Sequence, residues 1–91
     1  MFQLVRTARF ERRLERFLRL HSGLRLRLAD VFRALAEDPF QARLGLHALS
    51  GDLAGLYAVR LTYAYRIIIL LDREAREIVL LDIGSHDEVY R

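Results

Sequence analysis

The feature that most constrains this chain is a change of hydrophobic period near its middle. Between residues 8 and 37 apolar side chains recur every three or four positions. Beyond residue 50 they alternate or run together, in segments separated by charged or glycine-containing turns. Two helices followed by a sheet are what such a pattern supports. Phe10, Leu14, Phe17 and Leu18 form one face of a first helix, which Thr7 is placed to cap and Ser22-Gly23 to end. Leu28, Val31, Phe32 and Leu35 form one face of a second, over about residues 24 to 37, stopped by Asp38-Pro39. Residues 2 to 6 read as a short strand ahead of both. Further strands are expected at about 56 to 62, 65 to 72 and 77 to 83, the last two joined by the turn Arg73-Glu74-Ala75-Arg76. The expected fold is α+β in the order β-α-α-β-β-β, with a two-helix antiparallel hairpin packed on one face of a mainly antiparallel sheet.

Ile67, Ile68, Ile69, Leu70 and Leu71 are continuous rather than alternating, which predicts a central strand with both faces at least partly covered. Helices on one side leave the other for a substrate, a partner segment or a second subunit. With 91 residues, 53% of them apolar and a single proline, the chain reads as one packed domain over residues 1–91, without repeats or linkers.

All fifteen basic side chains are arginine, and the net charge is +3. Residues 1 to 43 hold ten arginines against five acids, and the remainder five against seven. A guanidinium is a planar donor suited to phosphate or carboxylate, so nucleic acid and an acidic protein are both fitting partners. Arg9, Arg12, Arg13, Arg16 and Arg19 stripe the outer face of the first helix, with Glu11 and Glu15 interleaved. The ordinary reading of such a stripe is a solvated face; the functional reading makes Arg9, Arg13 and Arg16 contacts to RNA.

Cysteine is absent, which excludes disulfides, thiol catalysis and cysteine-bound zinc and points to a reducing cytoplasm. The longest apolar run, residues 67 to 71, is too short to span a bilayer, so neither a signal peptide nor a membrane anchor is expected. His21, His47 and His86 lack ligand-like spacing, and no G-K-S/T follows Gly51 or Gly55. Neither a metal nor another cofactor is expected.

The informative stretches are His47-Ala48-Leu49-Ser50-Gly51, the strand ending Tyr63-Ala64-Tyr65-Arg66-Ile67-Ile68-Ile69, and Ile83-Gly84-Ser85-His86-Asp87-Glu88-Val89-Tyr90. Together they resemble the RelE superfamily of toxins, with YafQ-type members nearest. The resemblance implies a RelE-like fold and the toxin of a type II toxin-antitoxin system. It also implies a metal-independent endoribonuclease that cuts messenger RNA on the ribosome, a cognate antitoxin as partner, and a homodimer or toxin-antitoxin hetero-oligomer as the assembly. Matching positions put His86 and Tyr90 at the family's C-terminal catalytic histidine and aromatic, Arg66 at its strand arginine, and His47 at an upstream histidine of the YafQ subgroup. Arg60 falls at a second strand arginine seen in several relatives. Leu61 and Tyr65 stand where that subgroup has a further histidine and an acid. Arg43 stands near where RelE carries lysines. The alternatives left open are a ParE-like gyrase inhibitor, against which the histidine-tyrosine pair argues, and a non-catalytic member that only binds its antitoxin.

Metal-free RNA cleavage needs a base for the 2′-hydroxyl, cations for the pentavalent phosphate and an acid for the departing 5′-oxygen. His86 suits acid or base, Arg66 and Arg60 suit the phosphate, and His47 is the candidate base. Tyr90 fits stacking on a base, or donation of its phenol hydrogen to phosphate. Arg43 would add charge. Structural readings stand beside these: His86 and His47 as surface and loop residues, Arg60 in an ion pair, and Arg66 paired with Asp82 or Asp87.

Overall fold

The computed structural model describes residues 1–90. Thr7 is the junction between the first strand, β1 (Gln3–Arg6), and the first helix, α1 (Ala8–Leu20). Its hydroxyl accepts the Phe10 N–H at 3.1 Å and donates to the Leu80 carbonyl at 2.9 Å, so one side chain caps the helix and ties it to the sheet. A 3-10 turn at Ser22–Leu24 leads into α2 (Arg25–Glu37), and another at Ala42–Leu44 into the two-residue β2 (His47–Ala48). A third, Gly51–Leu53, precedes β3 (Tyr57–Arg60), β4 (Tyr65–Asp72), β5 (Glu77–Ser85) and a single-turn helix, α3 (His86–Val89).

The five strands lie in the order β1-β5-β4-β3-β2, with β1 parallel to β5 and every other pair antiparallel. The α+β architecture agrees with the sequence pattern, and the differences are local. β3 is shorter than 56 to 62 because Leu61 and Thr62 turn back on Tyr65 through backbone hydrogen bonds. β5 runs two residues past 83, to Ser85. β2 and α3 were not expected. Two residues carry no period, but Ser85-x-x-Glu88 is a capping-box signature that marks a helix start.

Phe10, Leu14 and Phe17 of α1 and Leu28, Val31 and Leu35 of α2 pack on one sheet face, against Val59, Ile67, Ile69, Ile78 and Leu80. Each such burial contributes about 1.5–3 kcal/mol relative to exposure. The continuous run in β4 is accounted for by two different coverings. Ile67 and Ile69 lie under the helices, whereas Ile68 points to the other face and is buried with Ala58 and Val89, beside Leu49, Leu56, Leu81 and Tyr90. The β2–β3 loop and α3 therefore cover part of the second face, and Leu70, two positions along, remains exposed. Among the described residues no helix is long and apolar enough to cross a membrane.

One charged group lies in this interior. β1 stops pairing at Leu80, and just beyond it a bulge interrupts the β4–β5 ladder. Asp82, 6% exposed, fills the break. Its carboxylate accepts the Ile83 N–H at 2.8 Å, Arg13 Nε at 2.9 Å and an Arg9 Nη at 3.4 Å. Two arginines of the expected RNA-contacting stripe thus serve to fasten α1 to β5. The rest of the stripe follows helical spacing, with Glu15 and Arg19 at 3.0 Å, while Glu11 turns to Arg6 at 3.3 Å.

Asp82→Ala leaves the buried Ile83 N–H unpaired and releases Arg13 and the exposed Arg9. It should lower the unfolding free energy in urea by about 1.5 kcal/mol or more, the scale of a hydrogen bond to a charged group. A loss under about 0.5 kcal/mol, the scale of a neutral surface substitution, would show that α1 is held by its apolar face alone.

Candidate functional site

The β4–β5 register sets Tyr65 opposite Ser85 and Arg66 opposite Gly84. The chain leaves β5 at Ser85 and turns at once into α3. Ser85 Oγ accepts the Glu88 N–H at 3.3 Å while Glu88 Oε1 accepts the Ser85 N–H at 2.8 Å, a reciprocal capping box. That backbone hydrogen bond, helped by the Ser85 side chain and by Arg16 and Arg13, holds the Glu88 carboxyl below the ordinary glutamate range against the opposing effect of burial. Gly84 permits the turn. A Cβ there would stand 3.0 Å from Glu88 Oε1 and 3.2 Å from Glu88 Cβ.

His86, the first residue of α3, is exposed, and its ring meets Tyr90 edge to face with centroids 4.4 Å apart. Tyr90 is partly buried beside Val89, and its hydroxyl is, among the described residues, a buried polar atom with no hydrogen-bond partner. His47 lies on β2, paired across to Ala58 of β3. Its Nδ1 lies 3.1 Å from the Gly45 carbonyl, so in the neutral ring Nδ1 carries the proton and Nε2 the lone pair.

These groups share one cleft of about 550 Å³, lined by His47, Ser50, Asp52, Arg66, His86 and Tyr90 among others. Arg66 pairs with neither Asp82 nor Asp87; among the described residues its guanidinium makes one hydrogen bond, to the Tyr63 carbonyl at 3.4 Å. Its guanidinium thus keeps free donors at the cleft. Sequence reasoning missed Ser50 and Asp52, which enter from the turn after β2. Asp52 is a carboxylate in the cleft of a chain whose strand position for an acid is taken by Tyr65. That ring, half-buried, packs on Phe17 and His21 with centroids 5.1 and 4.6 Å away, while Leu61 is buried in the core.

The other arginines lie elsewhere. Arg60 is not in the cleft: it shares a second pocket with Arg27, Asp30 and Arg43, because β3 ends at this residue and its side chain lies against Gly45. Arg43 is bound to Asp30 at 2.8 Å and to Gln41 at 3.0 Å. Arg16 lines a shallow pocket with Arg13, His21 and Glu88. Among the described residues no three histidines or acids converge as a metal site would require.

Neither a protein-family model nor a curated protein matches the sequence. Solved structures do match the fold. YafQ from Escherichia coli superposes with a TM-score of 0.83 over the whole of both chains, at 13% identity. A metal-bound toxin from Helicobacter pylori gives 0.79 at 23% identity, covering 98% of this chain and 99% of that one. The toxin-antitoxin complex RelBE2 from Mycobacterium tuberculosis gives 0.71 at 22% identity, covering 93% and 98%.

The capping box predicts how α3 responds to acid. A carboxylate with a depressed pKa stabilises the fold fully above its unfolded value, and the contribution disappears as pH falls through the folded one. In a pH titration followed by NMR, α3 amides should stay native at neutral pH and lose order only below the ordinary glutamate range. Glu88→Gln should remove that acid transition, and Ser85→Ala should cost about 1 kcal/mol of stability. An α3 that loosens between pH 6 and 7 in the parent protein would contradict the assignment to Glu88.

Proposed function

We propose that this chain, whose fold is that of the RelE-like toxins, is the toxin of a toxin-antitoxin system and an endoribonuclease that cuts messenger RNA on the ribosome. The observation that carries the reading is the gathering of His47, Arg66, His86 and Tyr90, from β2, β4 and the C-terminal turn, around one open cleft. Cleavage by a neighbouring 2′-hydroxyl needs a proton acceptor, a cation and a proton donor, and the cleft holds one of each.

His47 Nε2 takes the 2′-hydroxyl proton, with the ring held in the right tautomer by the Gly45 carbonyl. The 2′-oxygen then attacks phosphorus. Arg66 neutralises the pentavalent phosphate through a guanidinium that no carboxylate of the described residues engages. His86 donates a proton to the 5′-oxygen as the P–O5′ bond breaks, leaving a 2′,3′-cyclic phosphate and a 5′-hydroxyl. Its exposed ring is positioned by the edge of Tyr90. Tyr90 lines the cleft with its hydroxyl buried, so its ring is the part that fits contact with a base. Asp52 lies in the same cleft and adds a carboxylate to its lining.

The antitoxin reading is supported by the fold shared with the toxin-antitoxin complex RelBE2. The working compartment is the cytoplasm, where ribosomes hold the message.

Purified protein added to a cell-free translation reaction should cut the message within the codon at the ribosomal A site, as mapped by primer extension. His86→Ala and Arg66→Gln should each slow cleavage by at least about 100-fold, the scale for losing a positioned acid or charge. A message left whole by the parent protein, or cut equally by His86→Ala, would overturn the reading.

A further inference from the structure

We propose that Arg27, Arg43 and Arg60, gathered around Asp30 beside the Gly45 turn, form a second site that takes a phosphate of a single-stranded RNA backbone. The pocket measures about 380 Å³ and is separate from the cleft. Its charged groups reach it from three elements. Arg27 and Asp30 come from α2, Arg43 from the turn at Ala42–Leu44, and Arg60 from the end of β3, over buried Leu44 and Leu61.

Two of the three arginines are already fixed in place. Arg27 donates to the Leu61 carbonyl at 3.4 Å, and Arg43 donates to Asp30 at 2.8 Å and to Gln41 at 3.0 Å. The Arg43 guanidinium, aided by the fields of Arg33 and Arg27, holds the Asp30 carboxyl below its usual range. Asp30 thus offsets one of three positive charges. Arg60 is the cation left over: among the described residues its guanidinium has no hydrogen-bond or ion-pair partner. It lies flat on Gly45, where an added Cβ would stand 3.3 Å from Nη2 and 3.4 Å from Cζ. With φ at +59° and a guanidinium over its α-carbon, position 45 suits glycine on two counts.

Guanidinium groups held close together repel unless an anion joins them, so the pocket calls for one. A planar carboxylate is already present in Asp30, held by one contact to Arg43 Nη1 at 2.8 Å with Arg33 Nη1 3.8 Å from its other oxygen. A tetrahedral phosphate directs its oxygens several ways at once and matches donors that converge from separate elements. The two sites also meet at one residue. Gly45 presents its carbonyl to His47 of the cleft and its α-carbon to Arg60 of the pocket. Arg60 is also the register partner of Arg66, so a strand lying in the cleft passes beside the pocket. The inference rests on the ribonuclease reading for the identity of the strand.

The test is fluorescence anisotropy with a short 2′-O-methyl oligouridylate, which cannot be cut, over a range of salt concentrations. Arg60→Gln is compared with Arg66→Gln and with the parent, each checked for an unchanged unfolding midpoint. Loss of one phosphate contact should lower the slope of log K against log salt by about 0.7, and Arg60→Lys should restore most of it. The loss should be equal for oligouridylate and oligoadenylate, since a backbone contact reads no base. Reduced slopes in both Gln variants support the second site. A reduced slope only in Arg66→Gln overturns it and leaves the cleft reading standing; a reduced slope only in Arg60→Gln does the reverse. No binding by the parent overturns both. Arg60-dependent binding of a polyglutamate peptide without any of RNA would overturn the proposal in favour of an acidic protein segment.

Discussion

The register between β4 and β5 decides where Arg66 and His86 lie at the cleft. In a strand, side chains alternate between faces, so a slip of one residue would carry Arg66 into the apolar layer beneath α1 and bring Ile67 out to the cleft. The register is held by the apolar side chains themselves. Ile67, Ile69, Ile78 and Leu80 must all lie under the helices, and a one-residue slip would turn one set outward. The bulge beyond Leu80 then shifts the end of β5, and Asp82 occupies the break with Arg9 and Arg13 as counterions. Gly84 follows opposite Arg66, the chain turns at Ser85, and His86 arrives at the same cleft.

The helices, the strands and their order could be read from the sequence because each rests on a period long enough to count. What could not be read follows from short-range or non-local causes. β2 is two residues long and exists because His47 and Ala48 find Tyr57 and Ala58 across the sheet. Covering of the second face depends on Val89 and Leu49 meeting Ile68, a contact between segments that carry no pattern of their own. At the site, His47, Arg66, His86 and Tyr90 were singled out by motif resemblance, and the structure brings them together. Arg60 was grouped with them on the same grounds; it stands opposite Arg66 in the β3–β4 register, but its side chain lies against Gly45 in the neighbouring pocket. Asp52 escaped notice because a lone acid in a glycine turn has no signature.

Arginine is the only basic side chain available to this protein, and it is put to three uses. Arg9 and Arg13 neutralise a buried carboxylate. Arg6, Arg73 and Arg76 lie over the rings of Phe32, Phe40 and Phe2, where the cation meets the negative face of an aromatic. Arg66 and Arg60, like Arg12, Arg16, Arg25 and Arg27, line a cavity and have no acidic partner among the described residues. The net positive charge is therefore a poor guide to where an anion binds. A free guanidinium beside a cavity is a better one.

The central claim, that one cleft presents both catalytic histidines and Arg66 to RNA, is tested most directly by NMR titration of the intact protein with the uncleavable oligonucleotide. His21 is the internal control, since its ring is packed between Phe17 and Tyr65 outside the cleft. The account predicts that the imidazole signals of His47 and His86 and the Nε signal of Arg66 shift together along one binding curve while His21 stays in place. Shifts confined to His21 and the α1 arginines, with His47 and His86 unmoved, would contradict it.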